Sequence, residues 1–550
     1  CPTSTIGMGG GDGKFLGEFF HVGSGSDWYV GVNNGEAEDY IGGTHGIGYL
    51  HDGTIYKEGS SSQSSLATVT TGDVIGVAVD LSGVTRSVQF YKNGATLGSA
   101  ETIPSTWTHV HFACGSDVTG VTWLVNFGQD PTFYGEHTTT EAEFAYPVGG
   151  YKALCSGNMP TPGISDPTQY FDTTTYDTSG SKSFGHGGMK PDLCIFKDRT
   201  NGGSSYKVVD SVRGVQLALE TDSTDYEATE STGLISFDTD GFTVGNDAAY
   251  ATSGGTVAWG WKAGTTTYSD TSFSTTADFS IMKWTGDGQE DDMDDGYGDS
   301  DQDILHRLTG KPEFIMAADR TQNGSSNDSV VGGFYVWHKD LPGMISADTD
   351  GDGGILTLSS SSAEIACEGG GSFGYGGPFY TVGSTTIEFN NGESDDSDLY
   401  LLNYGGNYDT SMEEFDVDPD DYVAYAWRSV PSFSKFGKYI GFTGVEQFIY
   451  LGFEPAAVLI KAVTSTENWL LFDNTRGANS GGYTNLYNTR KNLLYPSSAS
   501  AEGGSSDIGL NFCSNGFKAI GTDTAHNFNG VTYIYAAWAS SNFKTNRGVI

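Results

Sequence analysis

Short runs of this chain alternate apolar and polar residues with a period of two, and Gly, Asn, Asp and Ser separate the runs. That period places one face of an extended segment in a core and the other toward solvent, so it predicts strands rather than helices. Within residues 1–135 the predicted strands are Phe15 to Phe20, Trp28 to Val32, Val74 to Val79, Ser87 to Tyr91, Val110 to Ala113 and Val121 to Phe127. Turn chemistry lies at Asn33-Asn34-Gly35, Asp52-Gly53 and Asn93-Gly94. Asn-Gly tolerates positive φ at both places, which suits a two-residue hairpin. So many one-sided strands predict two antiparallel sheets packed face to face.

From residue 165 onward the pattern repeats with divergence. A first anchor is Lys190-Pro191-Asp192 followed by the apolar run Leu193 to Phe196. Its copies are Lys311-Pro312-Glu313 before Phe314 to Ala318, and Glu454-Pro455 before Ala456 to Ile460. Proline is tolerated where a strand begins, because its missing N–H is not yet needed there. The second anchor is Tyr206 to Asp210 with Arg213-Gly214, and again Trp469 to Asp473 with Arg476-Gly477. In the middle copy, Phe334 to His338, Asp becomes His and the Arg-Gly pair is lost. Asp three residues before Arg predicts a turn held by a charge-assisted bond. The third anchor closes each copy: Thr256 to Trp261, Tyr422 to Trp427 and Tyr533 to Trp538. Its alternation of large and small residues predicts a central strand with Ala where sheets approach closely. The stretch from Pro312 to Trp427 is longer than its counterparts from Pro191 to Trp259 and from Pro455 to Trp538, so the middle copy carries a long acidic insertion. The expected division is a sandwich at 1–135, a linker at 136–168, and repeat units at 169–279, 280–433 and 434–550.

The formal net charge of −42 repels phosphate backbones and anionic lipid, which argues against nucleic acid as a partner. No apolar run reaches the ~18 residues that a membrane helix needs. The chain begins at Cys1 rather than Met, as a processed product or a fragment does. None of the six cysteines forms a CxxC pair, which argues against structural zinc. Their sparse spacing fits mostly unbridged buried thiols, or one or two bridges.

Residues Gly72 to Asp80, Phe90-Tyr91-Lys92-Asn93-Gly94, Gly48-Tyr49 with Asp52-Gly53, and Val125 to Gln129 resemble the signature strings of SPRY domains. The resemblance implies a concanavalin A-like sandwich that binds proteins or other surfaces through its loops and is rarely catalytic. The three anchors of the repeat resemble an uncharacterised β-rich domain of tailed-bacteriophage structural proteins, particularly of marine phages, which commonly follows a SPRY-like module. That resemblance carries no catalytic residues. It implies an all-β virion protein, exposed outside the cell: a tail fibre, receptor-binding or surface-decoration component. Its implied partners are other virion proteins, further copies of itself, and a host surface glycan or protein. A virion-associated glycan depolymerase and a secreted cellular adhesin are the alternatives.

Candidate chemistry is sparse. Asp348, Asp350 and Asp352 followed by Gly353 have the spacing of the first half of a calcium loop, but position twelve is Ser359. They are candidate Ca2+ ligands, with a plain acidic turn as the other reading. The nine acids from Asp287 to Asp303 predict a self-repelling loop. His109 and His111 lie on one side of a predicted strand, a ligand-like arrangement with no third ligand in view, so they read as surface or structural histidines. Glu36-Ala37-Glu38-Asp39 is the nearest approach to a glycosidase carboxylate pair, and it reads as a loop. The middle repeat, with its altered corner and acidic insertion, is therefore the expected place for ions or a partner, and the other two read as scaffold.

Overall fold

The computed structural model describes residues 4–542 except 5, 24–26, 36–42, 117, 265, 268–269, 287–301, 322–332, 342–353, 365–378, 390–420, 444–446, 477–488 and 506. Among these residues the chain is all-β, with two short 3-10 turns and no α-helix.

The N-terminal region is a two-sheet sandwich. One sheet runs in the order Met8–Gly9, His109–Ser116, Trp28–Asn33, Gly46–Leu50, Ile55–Lys57, Ser60–Gln63. The other runs Trp123–Asn126, Lys14–His21, Val74–Asp80, Ser87–Lys92, Ala95–Thr102. Lys92 pairs with Ala95 across Asn93 and Gly94, whose φ angles of 47° and 79° make the two-residue hairpin that Asn-Gly favours. Phe15, Phe19, Val77 and Val79 fill the space between the sheets with Trp28, Val30, Val32 and Phe112. Strand Lys14–His21 is buried on both faces, because the chain after residue 126 folds back over its outer side. Glu18 is buried on that side and accepts bonds from the Ala145 and Tyr146 amides, at 2.8 and 2.7 Å, and from Asn126 at 3.1 Å. Burial raises its pKa while those three donors pull it back. Lys152 and Ala153 then pair in parallel with Phe15 and Leu16, and Leu154 and Met159 enter the sandwich core. Much of the stretch expected as a linker is therefore packed against the first sandwich.

The three repeats share one strand order. The first large sheet is Phe171–Tyr176, Thr256–Trp261, Leu193–Asp198, Lys207–Asp210. The second contains Phe279–Thr285, Asp421–Trp427, Phe314–Asp319, Gly333–His338 in the same order, with Thr266–Thr267 and Thr271–Ser274 added at one edge and Leu356–Thr357 at the other. The third is Ser434–Ile440, Thr532–Asn542, Phe453–Ala462, Leu470–Asp473. Each large sheet has an antiparallel partner sheet, of three, three and four strands, that includes Gly241–Val244, Thr386–Phe389 and Gly516–Gly521 respectively. Pro455 differs from the expected strand start. It lies inside Phe453–Ala462, and the register shifts on either side of it, because a residue without an N–H cannot continue the ladder.

Alternation along the closing strands sorts their side chains. Val257, Trp259 and Trp261, like Val423, Tyr425 and Trp427, face one core shared by all three repeats. Ala258 in the first repeat, and Ala424 and Ala426 in the second, face the core between their own two sheets. Small residues are required there: a Cβ on Gly260 would lie 2.2 Å from His186 Nε2. Trp261, Trp427 and Trp538 meet in the shared core, with ring centroids 6.1, 5.3 and 6.0 Å apart and edge-to-face. Such contacts are worth about 0.5–1.5 kcal/mol per pair beyond area burial. Strand register makes these three equivalent, since they sit opposite Leu193, Phe314 and Ala457. The closing tryptophan of the first repeat is thus Trp261, two residues beyond the Trp259 that sequence spacing suggests. The repeats surround a pseudo-threefold axis, and an apolar cavity of about 40 Å³ beside it is walled by residues of all three.

Candidate functional site: polar corners around the shared core

Each repeat ends its fourth strand at a polar corner. In the first, Asp210 Oδ1 accepts from the Val212 and Arg213 amides at 2.9 and 2.8 Å, and Oδ2 takes the Arg213 guanidinium. One carboxylate therefore closes its own turn and anchors an arginine three residues on, both side chains being fully buried. Burial would raise the Asp210 pKa, but the Arg213 charge and bonds outweigh it and hold the carboxyl below its ordinary value. The third repeat builds the same corner: Asp473 Oδ1 accepts from the Thr475 and Arg476 amides at 3.1 and 2.8 Å, and Oδ2 from Arg476 Nε at 2.5 Å. The Asp-x-x-Arg spacing is legible as a turn for this reason.

The corners also reach across to the next repeat. Tyr425 of the second repeat donates to Asp210 Oδ2 at 2.7 Å. Trp259 of the first donates its indole N–H to Asp473 Oδ2 at 3.1 Å, and its ring lies under Arg476. In the second repeat His338 occupies the same place, opposite Phe314 as Asp210 is opposite Leu193. Its Nδ1 accepts from the Asp340 amide at 3.0 Å, and its Nε2–H donates to the Tyr535 carbonyl of the third repeat at 3.3 Å. Burial keeps this imidazole neutral, lowering its pKa to about 3. The position matching Tyr425 and Trp259 in the third repeat is Ala536, which has no side-chain donor. A carboxylate there would face a carbonyl. Histidine supplies both the acceptor that closes the turn and the donor that crosses the seam. The exchange of Asp for His is thus matched to its neighbour, and Leu341 fills the place of the lost arginine in the shared core.

A second layer closes the ring. Glu227 of the first repeat takes Arg320 of the second with two bonds, at 3.1 and 2.8 Å, and also Arg213 at 2.7 Å. Glu502 of the third takes Arg199 of the first with two bonds, at 2.8 and 2.9 Å, and lies 3.4 Å from Arg476. The backbone bonds beneath repeat as well: the Glu227, Glu502 and Glu364 amides donate to the carbonyls of Arg320, Arg199 and Val463, at 3.0, 2.7 and 2.9 Å. Two seams thus carry an Arg-Glu-Arg bracket, and the seam between the second and third repeats, with Val463 in place of arginine, keeps the backbone bond.

The family profile described as "Domain of unknown function (DUF7483)" matches residues 166–349 and 381–542, more than half of the chain. The chain belongs to the DUF7483 family. No curated protein matches the chain. Among solved structures, the SPRY domain of human HERC1 is similar over 22% of this chain and 77% of that one, at 18% identity and a TM-score of 0.19.

Of the remaining candidate residues, His109 and His111 lie among the described residues, and they sit away from the corners of the DUF7483 ring. Asp348, Asp350 and Asp352 lie outside the described residues, as do Glu36 to Asp39 and the acidic run up to residue 301. Among the described residues no group of three or more His, Cys, Asp or Glu could hold a metal ion. No helix there is long and apolar enough to cross a membrane, which says nothing of β-strand spans. His109 and His111 are buried against Phe448 and Tyr450 of the third repeat. Sequence reading missed the bridging Glu227 and Glu502. Their only signal is a glutamate recurring between the Arg-Gly pairs at 213–214 and 476–477 and the strands that begin at Gly241 and Gly516, in otherwise unlike surroundings.

Proposed function

We propose that this DUF7483 protein is a non-enzymatic structural or surface-binding component of a virion, exposed outside the cell as a tail fibre, receptor-binding or surface-decoration protein. The observation that carries the non-enzymatic part is the use made of the buried charges. Asp210, Arg213, Glu227, Arg320, Asp473, Arg476, Glu502 and Arg199 recur by repeat and are committed to turns and seams. Such fully engaged pairs hold one geometry, so none of these eight groups is poised to exchange a proton with a substrate. The virion assignment rests on the resemblance of the repeat anchors to tailed-phage structural proteins. The acidic surface suits a protein that works in salt, where self-repulsion is screened.

Mass spectrometry of purified virions tests the assignment. Recovery of this chain in stoichiometric amount is expected. Its absence from particles, with recovery from cell surfaces instead, would favour a secreted adhesin. Incubation with host capsular polysaccharide is expected to leave chain length unchanged, and shortening would establish a depolymerase.

A further inference from the structure

The N-terminal sandwich is joined to the third repeat through a contact whose centre is a pair of histidines. His109 stacks on Tyr450, with centroids 5.8 Å apart and planes 19° from parallel, and both histidines meet Phe448 edge-on. Around them, Tyr450 donates to Asp12 at 2.8 Å, Asn515 donates to the Gly7 carbonyl at 2.7 Å, and Lys435 donates to the Tyr450 carbonyl at 2.7 Å. The Lys435 ammonium also lies 4.9 Å from the centre of the Tyr450 ring.

Both imidazoles are built into this contact in the neutral form. His111 Nδ1–H donates to the Ser4 carbonyl at 2.7 Å, and His109 Nδ1 is bonded to the Thr108 hydroxyl at 2.9 Å. Among the described residues, the Nε2 atoms of both are buried with no hydrogen-bond partner. Both point toward the bare backbone of Gly35, whose missing Cβ would sit 2.6 Å from one and 3.3 Å from the other. A proton added at either Nε2 would create a buried N–H without an acceptor. It would also add charge where the third repeat already presents Lys435 beside His109 and Lys518 beside His111.

We propose that this contact is an acid-labile joint, in which protonation of His109 and His111 undocks the N-terminal sandwich from the third repeat while both parts remain folded. The joint goes beyond the proposed virion role and does not depend on it.

The direction follows from the described titratable groups at the contact whose protonation docking shifts. Burial lowers the pKa of His111 to about 4 and that of His109 well below its ordinary 6.5. In the undocked form both return toward 6.5. Histidines depressed by docking contribute fully above that value and progressively less as pH falls toward their docked values. Each costs docking up to about tenfold per pH unit, so His111 alone accounts for roughly 300-fold between pH 6.5 and 4. Lys435, lowered to about 8 by burial and by Lys339, has the same sign, but its contribution has changed fully before that window opens. Asp12 opposes them: burial raises its pKa, so acid favours its docked form and offsets part of the loss. Glu313 lies near Lys435 and favours its charged form.

The test uses the full chain. Sedimentation velocity at pH 7.5 and at pH 4.5 should show a lower coefficient in acid, with the far-ultraviolet circular dichroism unchanged. A His109→Phe/His111→Asn variant keeps the ring contact and the donor to Ser4 but cannot titrate, and it should sediment alike at both values. Radical footprinting of the unmodified chain gives a readout independent of any variant's folding. Labelling of Phe448 and Tyr450 should rise in acid, while that of Trp261, Trp427 and Trp538 stays constant. An unchanged coefficient with unchanged labelling would overturn the joint. So would equal expansion of the double variant, or loss of the dichroism at the same midpoint.

Discussion

Removing the carboxylate of Asp473 is the most direct test of the corner. In Asp473→Ala, Arg476, only 1% exposed at its side chain, loses its nearer counter-charge and keeps Glu502 at 3.4 Å, and the Trp259 indole N–H loses its acceptor. Two backbone amides that close the turn lose theirs as well. Breaking a buried ion pair by deleting one partner costs about 3–5 kcal/mol when the other charge is left uncompensated, and the remaining Glu502 places this variant toward the lower end. The Trp259 bond to a charged acceptor accounts for about 1.5–3 kcal/mol of that environment. Its share can be isolated with a Trp259→Phe partner in a double-mutant cycle, which removes the N–H and keeps most of the ring. The chain carries more than one core, so urea unfolding should be followed by tryptophan fluorescence, to which Trp259, Trp261, Trp427, Trp469 and Trp538 of the shared core contribute, and by amide exchange of Leu470–Asp473, which reports the corner strand alone. Lys339→Ala serves as the reference, since the Lys339 pair with Glu313 is 36% exposed on the lysine side. Such surface pairs contribute about 0–1 kcal/mol. If Asp473→Ala shifts the fluorescence midpoint no more than Lys339→Ala, the corner does not hold the seam, and a coupling energy near zero would sink the cross-repeat bond to Trp259.

Three further outcomes are expected. His338→Asp, which restores the residue of the other corners, should destabilise the ring by about 1–3 kcal/mol, because a buried carboxylate would face the Tyr535 carbonyl; combined with Ala536→Tyr, which returns a donor, part of the loss should be recovered in thermal melts. His338 is held neutral to about pH 3, so its folded pKa lies below the unfolded 6.5. Its contribution is complete above pH 6.5 and should fall by up to ~1.4 kcal/mol per unit as pH drops toward 3, a slope that melts of His338→Gln should lack. Gly241→Ala should destabilise by about 1–3 kcal/mol in urea melts, because its Cβ would lie 1.9 Å from the Phe184 carbonyl, and backbone cannot swing aside.

The middle repeat shows where sequence reading stops. Its loss of Asp and Arg, together with the acidic insertion, marks it as the place to look for ions or a partner. In the fold His338 performs the same two tasks as Asp210 and Asp473, turn closure and a bond across the seam. The compensating residue is Ala536, nearly two hundred positions away in the chain, and only register makes the pair visible. The bridging Glu227 and Glu502 escaped notice for the same reason, since their arginine partners belong to different repeats.

What the sequence determined by itself is local. A period of two forces strands, Asn93-Gly94 permits the hairpin, Asp three residues before Arg closes a turn, and recurring anchors mark three copies of one unit. Each depends on residues within a few positions of each other, so a linear reading contains the cause. The tertiary structure alone decided that the three copies close around one axis, that Trp261 rather than Trp259 meets Trp427 and Trp538, and that the two histidines of the first sandwich are buried against the third repeat. A sheet face specifies only that it must be covered. Which face covers it depends on shape and on pairing donors with acceptors across long sequence separations, and that pairing exists only once the chain has folded.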